Sequence, residues 1–166
     1  MDTGNRSDES LEAQAGQLLQ QRGLRLAVAE SCTGGLIADR LTNVPGSSAY
    51  FVGGVVAYAY EAKTGLLGVS QGTLEAHGAV SRETVLEMAT GVRALLAVDI
   101  GLSISGIAGP GGGIPGKPVG TVWIGLAAPD LLDARSYRFE GDRLENKAAF
   151  ADQALRLLLE YMQEHP

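Results

Sequence analysis

Cysteine, histidine and aromatic side chains are all scarce in this chain of 166 residues, and each scarcity excludes something. One cysteine, Cys32, rules out an intrachain disulfide framework and a cysteine-rich zinc site. The two histidines, His77 and His165, stand far apart with no histidine or cysteine at ligand spacing, so no metal centre is expected. No apolar run approaches the roughly 20 residues that cross a bilayer. Residues 1–9 are polar and acidic, without the basic and apolar regions of a signal peptide. A cytoplasmic protein with no membrane partner is therefore expected. Basic residues are also in the minority. With 13 Lys+Arg against 19 Asp+Glu the formal charge is -6, which argues against a nucleic-acid partner because phosphate binding needs an excess of cations. An anionic ligand would have to meet a local cation cluster or backbone amides.

What is present fits one compact domain. Hydrophobic residues make up 45% of the chain, and its 23 glycines follow no three-residue period. Residues 1–8 read as a disordered tail and 9–166 as a single domain, with no internal repeat or linker. Apolar Leu11, Ala15, Leu18 and Leu19 share a helical face that Gly23 would close. Residues 24–29 read as a buried strand. A second helical stripe (Leu36, Ile37, Leu41, Val44) stops at Pro45-Gly46-Ser47-Ser48. Residues 50–60 read as a strand with a bulge or bend at Gly53-Gly54, followed by a short helix or turn over 61–67 and then a loop. Ser81 caps a helix whose face is Val85, Met88, Ala89, Val92, Leu95 and Leu96. A strand over 100–104 runs into a loop, 106–116, with six glycines and two prolines. Strands are expected over 119–128 and 134–139, joined by a turn at Pro129-Asp130. Asp142 and Glu145 form a capping-box pattern before a final helix with Ala151, Ala154, Leu155, Leu158, Leu159 and Met162 on one side. Helices alternating with buried strands, then a hairpin, predict a three-layer α/β/α fold with a mixed, mostly parallel sheet.

In such sheets ligands sit beyond the carboxyl ends of the strands, and four segments carry chemistry there. In Glu30-Ser31-Cys32-Thr33-Gly34-Gly35 a strand ends and a helix begins. Ser31 is a candidate nucleophile near helix-start amides that would hold an oxyanion, those of Gly34 and Gly35 among them. Equally, Ser31 or Thr33 is simply an N-cap, and Cys32 is either a rival nucleophile or a small core residue. In Tyr58-Ala59-Tyr60-Glu61-Ala62-Lys63 strand alternation puts both tyrosines on one face. Lys63 is a general base if burial lowers its pKa, and otherwise an exposed lysine. The run from Ser105 and Gly106 through Gly109 to Gly113 is either an anion-binding nest or a plain surface loop. Within it, Gly111 to Lys117 mimics a P-loop, but Pro118 replaces the hydroxyl residue and a strand follows, so nucleotide triphosphate hydrolysis is rejected. Arg143 and Lys147 share a face at a helix start, where the dipole disfavours cations. They either meet an anion together or form a solvated charged face. No G-x-S-x-G, S-x-x-K from Ser31, or H-E-x-x-H occurs.

Ala29-Glu30-Ser31-Cys32-Thr33-Gly34-Gly35, Pro45-Gly46-Ser47-Ser48, Tyr58 with Glu61-Ala62-Lys63, His77-Gly78-Ala79-Val80-Ser81, the run from Ser103 to Pro110, and Lys117-Pro118-Val119-Gly120-Thr121-Val122 together resemble the C-terminal domain of the competence/damage-inducible protein CinA. The likeness covers about residues 9–162 and is to the stand-alone form, nicotinamide-nucleotide amidohydrolase. It implies a mixed five-stranded sheet and hydrolysis of the carboxamide of nicotinamide mononucleotide, with no cofactor and no metal. It implies Ser31 as nucleophile, with Lys63 and Tyr58 as its catalytic partners, Ser105 in the Gly-rich loop and Arg143 in the site. Where many members carry a second arginine this chain has Lys147, a point charge in place of a fork. The expected mononucleotide contacts are Thr33, Ser105, Gly106, Gly109, Arg143 and Lys147. Two other classes of function stay in view: a non-catalytic nucleotide-binding module, and a DNA-uptake accessory protein, which the acidic balance opposes. A homodimer or higher homo-oligomer is left open.

Overall fold

The most apolar stretches become the middle of a sheet. In the computed structural model, which describes residues 9–166, the strands are β1 (Leu26–Glu30), β2 (Phe51–Val56), β3 (Ile100–Gly106), β4 (Thr121–Ala127) and β5 (Leu132–Arg138). They lie in the order β2-β1-β3-β4-β5. β1 pairs in parallel with β2 and β3, while β4 and β5 add antiparallel. β1 is buried at all its positions, because strands flank both its edges and helices cover both its faces. The expected tail, residues 1–8, lies outside the described residues. Among the described residues no helix is long and apolar enough to cross a membrane.

Among the described residues six α-helices form the outer layers: α1 (Leu11–Arg22), α2 (Leu36–Thr42), α3 (Tyr60–Leu67), α4 (Gln71–His77), α5 (Arg82–Leu95) and α6 (Arg143–Glu164). Their ends are written locally. The hydroxyls of Ser10, Ser70 and Ser81 accept amide hydrogen bonds at the starts of α1, α4 and α5, and Gly23 closes α1 in the left-handed region. Asp142 and Glu145 complete both halves of the capping box on α6. One core joins α1, α2 and α6 to the sheet through Leu19, Ile37, Phe150 and Leu158. The other packs Met88 and Val92 of α5, with Leu67 and Leu74, on the opposite face. α5 lies unusually close to β3. Ser103 Oγ donates to the Val85 carbonyl at 2.6 Å, and a Cβ at Gly101 would stand 2.2 Å from the Ala89 carbonyl oxygen.

Three expectations change. The strand expected over 50–60 ends at Val56, so Tyr58 lies in a loop and Tyr60 opens α3, and the two do not share a strand face. Residues 71–77, expected as loop, form α4, which buries only Leu74 and so shows no apolar stripe. The irregularity near Gly53-Gly54 falls one residue earlier: register slips between Leu26 and Ala27, leaving Val52 without a partner on β1. At the carboxyl edge of the sheet the chain leaves β1 through α2 on one face and leaves neighbouring β2 through α3 on the other. That divergence, beside the start of the loop after β3, is where a crevice opens.

Candidate active site

Glu30 closes β1 with a carboxylate that is 1% exposed. It accepts from Thr33 Oγ1 at 2.6 Å and from the amides of Ile37 at 2.9 Å and Ala38 at 3.0 Å. Two orphan donors of the α2 start are thereby taken by one buried anion, as the helix dipole favours. The intervening turn needs Gly34 (φ 62°) and Gly35 (φ 105°) in the left-handed region, which side chains avoid. The Gly34 amide donates to the Ser31 carbonyl at 3.1 Å. Of the residues expected at the site, Thr33 braces Glu30, and Thr33, Gly34 and Gly35 stand outside the cleft lining. The amides of Gly34, Leu36, Ile37 and Ala38 are engaged within the turn.

What the turn does present is Ser31, 7% exposed, at the tip of β1. Lys63 comes to it from α3, with its side chain 1% exposed. Its Nζ lies 2.9 Å from Ser31 Oγ, 2.8 Å from the Ala57 carbonyl oxygen and 3.0 Å from that of Tyr58. Among the described residues no carboxylate holds it. Burial lowers the Lys63 pKa from the ordinary lysine value. Valence makes this arrangement selective. A protonated Lys63 donates to all three oxygens. A neutral amine gives its two N–H groups to the two carbonyls, and its lone pair then faces the Ser31 hydroxyl. Cys32, beside Ser31, is the opposite case: burial pushes its thiol up to about 12, so its thiolate is suppressed.

The wall facing Ser31 is the start of the Gly-rich loop after β3. Ser105, Gly106 and Gly109 line the cleft with Ser31, Lys63, Tyr58 and Arg143, around a volume of about 250 Å³. Arg143, at the first turn of α6, donates to the Gly109 carbonyl at 2.7 Å and to Tyr58 Oη at 3.2 Å. These acceptors account for a cation at a helix start without a bound anion. Tyr58 is 60% exposed on the rim, and its phenol meets Arg143 while its carbonyl meets Lys63. Lys147 does not line the cleft; its Nζ stands 4.0 Å from where a Gly34 Cβ would be. Lys117, the lysine of the rejected P-loop pattern, donates to the His77 carbonyl at 2.5 Å.

Two contributors escaped sequence reasoning. Tyr60, at the rim, was visible only as a neighbour of Tyr58. Asn146 is 1% exposed; its Nδ2 donates to the carbonyls of Ala108 and Gly141, and its Oδ1 accepts from the Gly141 amide. Nothing in a run of charged residues marks that asparagine as buried.

Fold and cleft together define a three-layer α/β protein with a buried serine–lysine pair at the carboxyl ends of its parallel strands. The CinA C-terminal domain model matches residues 8–162, and the chain belongs to that family. It is 54% identical over 160 residues to a CinA-like protein of Chloroherpeton thalassium, covering 94% of this chain and 38% of that protein. To a CinA-like protein of Desulforapulum autotrophicum it is 52% identical over 159 residues, covering 95% and 38%. The chain therefore spans 38% of the length of these curated relatives. Among solved structures, a competence-damaged protein (CinA) superfamily member from Klebsiella pneumoniae superposes with a TM-score of 0.90 at 39% identity, covering 93% of this chain and 96% of that one. One from Escherichia coli superposes at 0.88 and 33% identity, covering 96% and 94%.

Proposed function

We propose that this protein is a serine amidohydrolase that converts the carboxamide of nicotinamide mononucleotide to the acid, releasing ammonia. The observation that carries the reading is the 2.9 Å contact between Ser31 Oγ and a buried Lys63 Nζ whose other contacts are two carbonyls. Neutral Lys63 takes the Ser31 proton as Oγ bonds to the carboxamide carbon, and the carbonyl π pair moves onto oxygen. Collapse of the adduct breaks the C–N bond. Lys63 returns its proton to the leaving nitrogen, which departs as ammonia. Water then attacks the acyl ester, passing a proton through Lys63 back to Ser31 Oγ. The cationic pyridinium makes the carboxamide more electrophilic, and the exposed rings of Tyr58 and Tyr60 at the rim suit a flat cation. The phosphate falls to the loop amides near Gly111 and Gly112, with Arg143 beside them. Lys147 adds long-range charge from outside the lining.

Incubating the protein with nicotinamide mononucleotide tests this: ammonia and the acid mononucleotide are expected. Ser31→Ala should remove at least about 10³-fold of the rate, as loss of a nucleophile does. Wild-type turnover in Ser31→Ala would refute the nucleophile, and binding without turnover in the wild type would refute the enzyme.

A further inference from the structure

At the α2 start the amides of Gly34, Leu36, Ile37 and Ala38 are already engaged, by the carbonyls of Ser31 and Thr33 and by Glu30, which turns attention for the oxyanion of the proposed reaction to the facing wall of the cleft. The end of β3 supplies a donor there. Ser31 N–H still donates to the Ile104 carbonyl at 3.1 Å, the last rung between β1 and β3. In a continuing parallel ladder the Ser31 carbonyl would next accept from Gly106. Instead it accepts from Gly34, so the ladder between β1 and β3 stops at Ser31. One rung further, Ile107 donates to the Thr121 carbonyl at 2.9 Å, and its own carbonyl accepts from Gly120 at 2.8 Å. A trans peptide points its N–H opposite to its C=O. The Ala108 N–H therefore points away from β4, to the side on which β1 has just ended at Ser31. The next peptide is fixed from α6: Asn146 Nδ2 holds the Ala108 carbonyl at 3.0 Å, which turns the Gly109 N–H away from α6. Among the described residues neither amide donates to a backbone carbonyl. Both residues line the same cleft as Ser31, and Ala108 is 5% exposed.

We propose that the Ala108 amide, with that of Gly109 beside it, is the donor that holds the oxyanion formed when Ser31 attacks the carboxamide. The inference rests on the serine-amidohydrolase reading and adds which atoms stabilise its transition state. Asn146 and Gly120 act as positioning residues, because they fix the carbonyls whose opposite ends are these amides. This also gives a reason for burying Asn146 with its side chain fully engaged: a peptide held on its carbonyl side need not reorganise when charge develops on the other.

The test uses the unmodified protein and the aldehyde analogue of the mononucleotide. Ser31 Oγ adds to the aldehyde carbon, its proton passes to Lys63, and the former carbonyl oxygen becomes the oxyanion. Carbonyl-13C isoleucine with 15N alanine isolates the Ile-Ala peptides, which in this sequence are Ile37-Ala38 and Ile107-Ala108. The Ala108 amide proton should move strongly downfield on adduct formation. The Ala38 amide, bonded to Glu30, should stay in place. Replacing the 107–108 amide by an ester, which removes that N–H and weakens the Ile107 carbonyl as an acceptor for Gly120, should lower kcat by about 10²–10³-fold with KM little changed. A formed adduct with an unshifted Ala108 proton, or an ester variant turning over at the wild-type rate, overturns the inference while leaving Ser31 as nucleophile. Absence of both turnover and adduct in the wild type overturns the function itself and the inference with it.

Discussion

Replacing Lys63 with methionine separates what the buried amine does for the reaction from what it does for the fold. The side chains are of similar length, but methionine has no proton to move, so ammonia release should fall by about 10²–10⁴-fold, the usual worth of a general base. Stability responds to two opposed effects. Loss of Nζ leaves the Ala57 and Tyr58 carbonyls, now at 2.8 and 3.0 Å from it, without that donor, at a cost of about 1–3 kcal/mol for each that stays dry. Against this, the variant no longer holds an ammonium in a site that is 1% exposed. That second effect depends on pH, and its sign is fixed. Burial lowers the folded-state pKa of Lys63 below an unfolded value of about 10.4. Below the folded pKa both states carry the proton and the burial penalty is complete. Between the two values the unfolded chain keeps a proton that the folded protein has released, so wild-type stability rises with pH, by at most about 1.4 kcal/mol per pH unit. Above the unfolded value the penalty has vanished. Urea unfolding of wild type and Lys63→Met across the alkaline range should show the wild type gaining on the variant as pH rises. Wild-type kcat should climb as pH passes through the lowered folded-state pKa, at the lower edge of that window, where Lys63 becomes a base. A stability difference that is flat with pH, or that shrinks as pH rises, would refute the lowered pKa and with it the neutral-amine mechanism.

Other substitutions probe the surroundings. Cys32→Ala should leave ammonia release near the wild-type rate, since the thiol is held protonated; a loss matching that of Ser31→Ala in the same assay would make Cys32 the nucleophile. Glu30→Gln keeps the shape but turns an acceptor into a donor facing the α2 amides. It should lower stability by about 2–3 kcal/mol in urea melts, and an unchanged midpoint would contradict the bracing role. Gly101→Ala places a methyl 2.2 Å from the Ala89 carbonyl oxygen. It should force α5 off the sheet at about 1–3 kcal/mol, and a thermal midpoint at or above that of the wild type would show the helix has room to give.

The pattern of successes and failures along the chain follows the range of the forces involved. Helices α5 and α6 were legible because their buried residues recur at 3.6-residue spacing and their caps, Ser81 and Asp142 with Glu145, lie within one turn. α4 was not, because a short helix burying only Leu74 has no periodicity to read. The strand expected over 50–60 overshot because the carbonyls of Ala57 and Tyr58 turn to Lys63 instead of continuing the ladder. That bond is invisible to strand propensity.

The same division holds in the site. Local pattern by itself determined that a strand ends at a serine in a glycine turn, that another strand runs into a Gly-rich loop, and that both lie at the carboxyl edge of an α/β sheet. Such features need only a residue and its near neighbours. Only the tertiary structure decided which candidates meet. It buried Lys63 against Ser31, set Arg143 on Gly109 and Tyr58, left Thr33 and Lys147 off the cleft, and gave the α2 amides to Glu30. Burial and hydrogen-bond partnership belong to contacts between distant segments, and a lysine's pKa and an amide's freedom depend on those contacts alone.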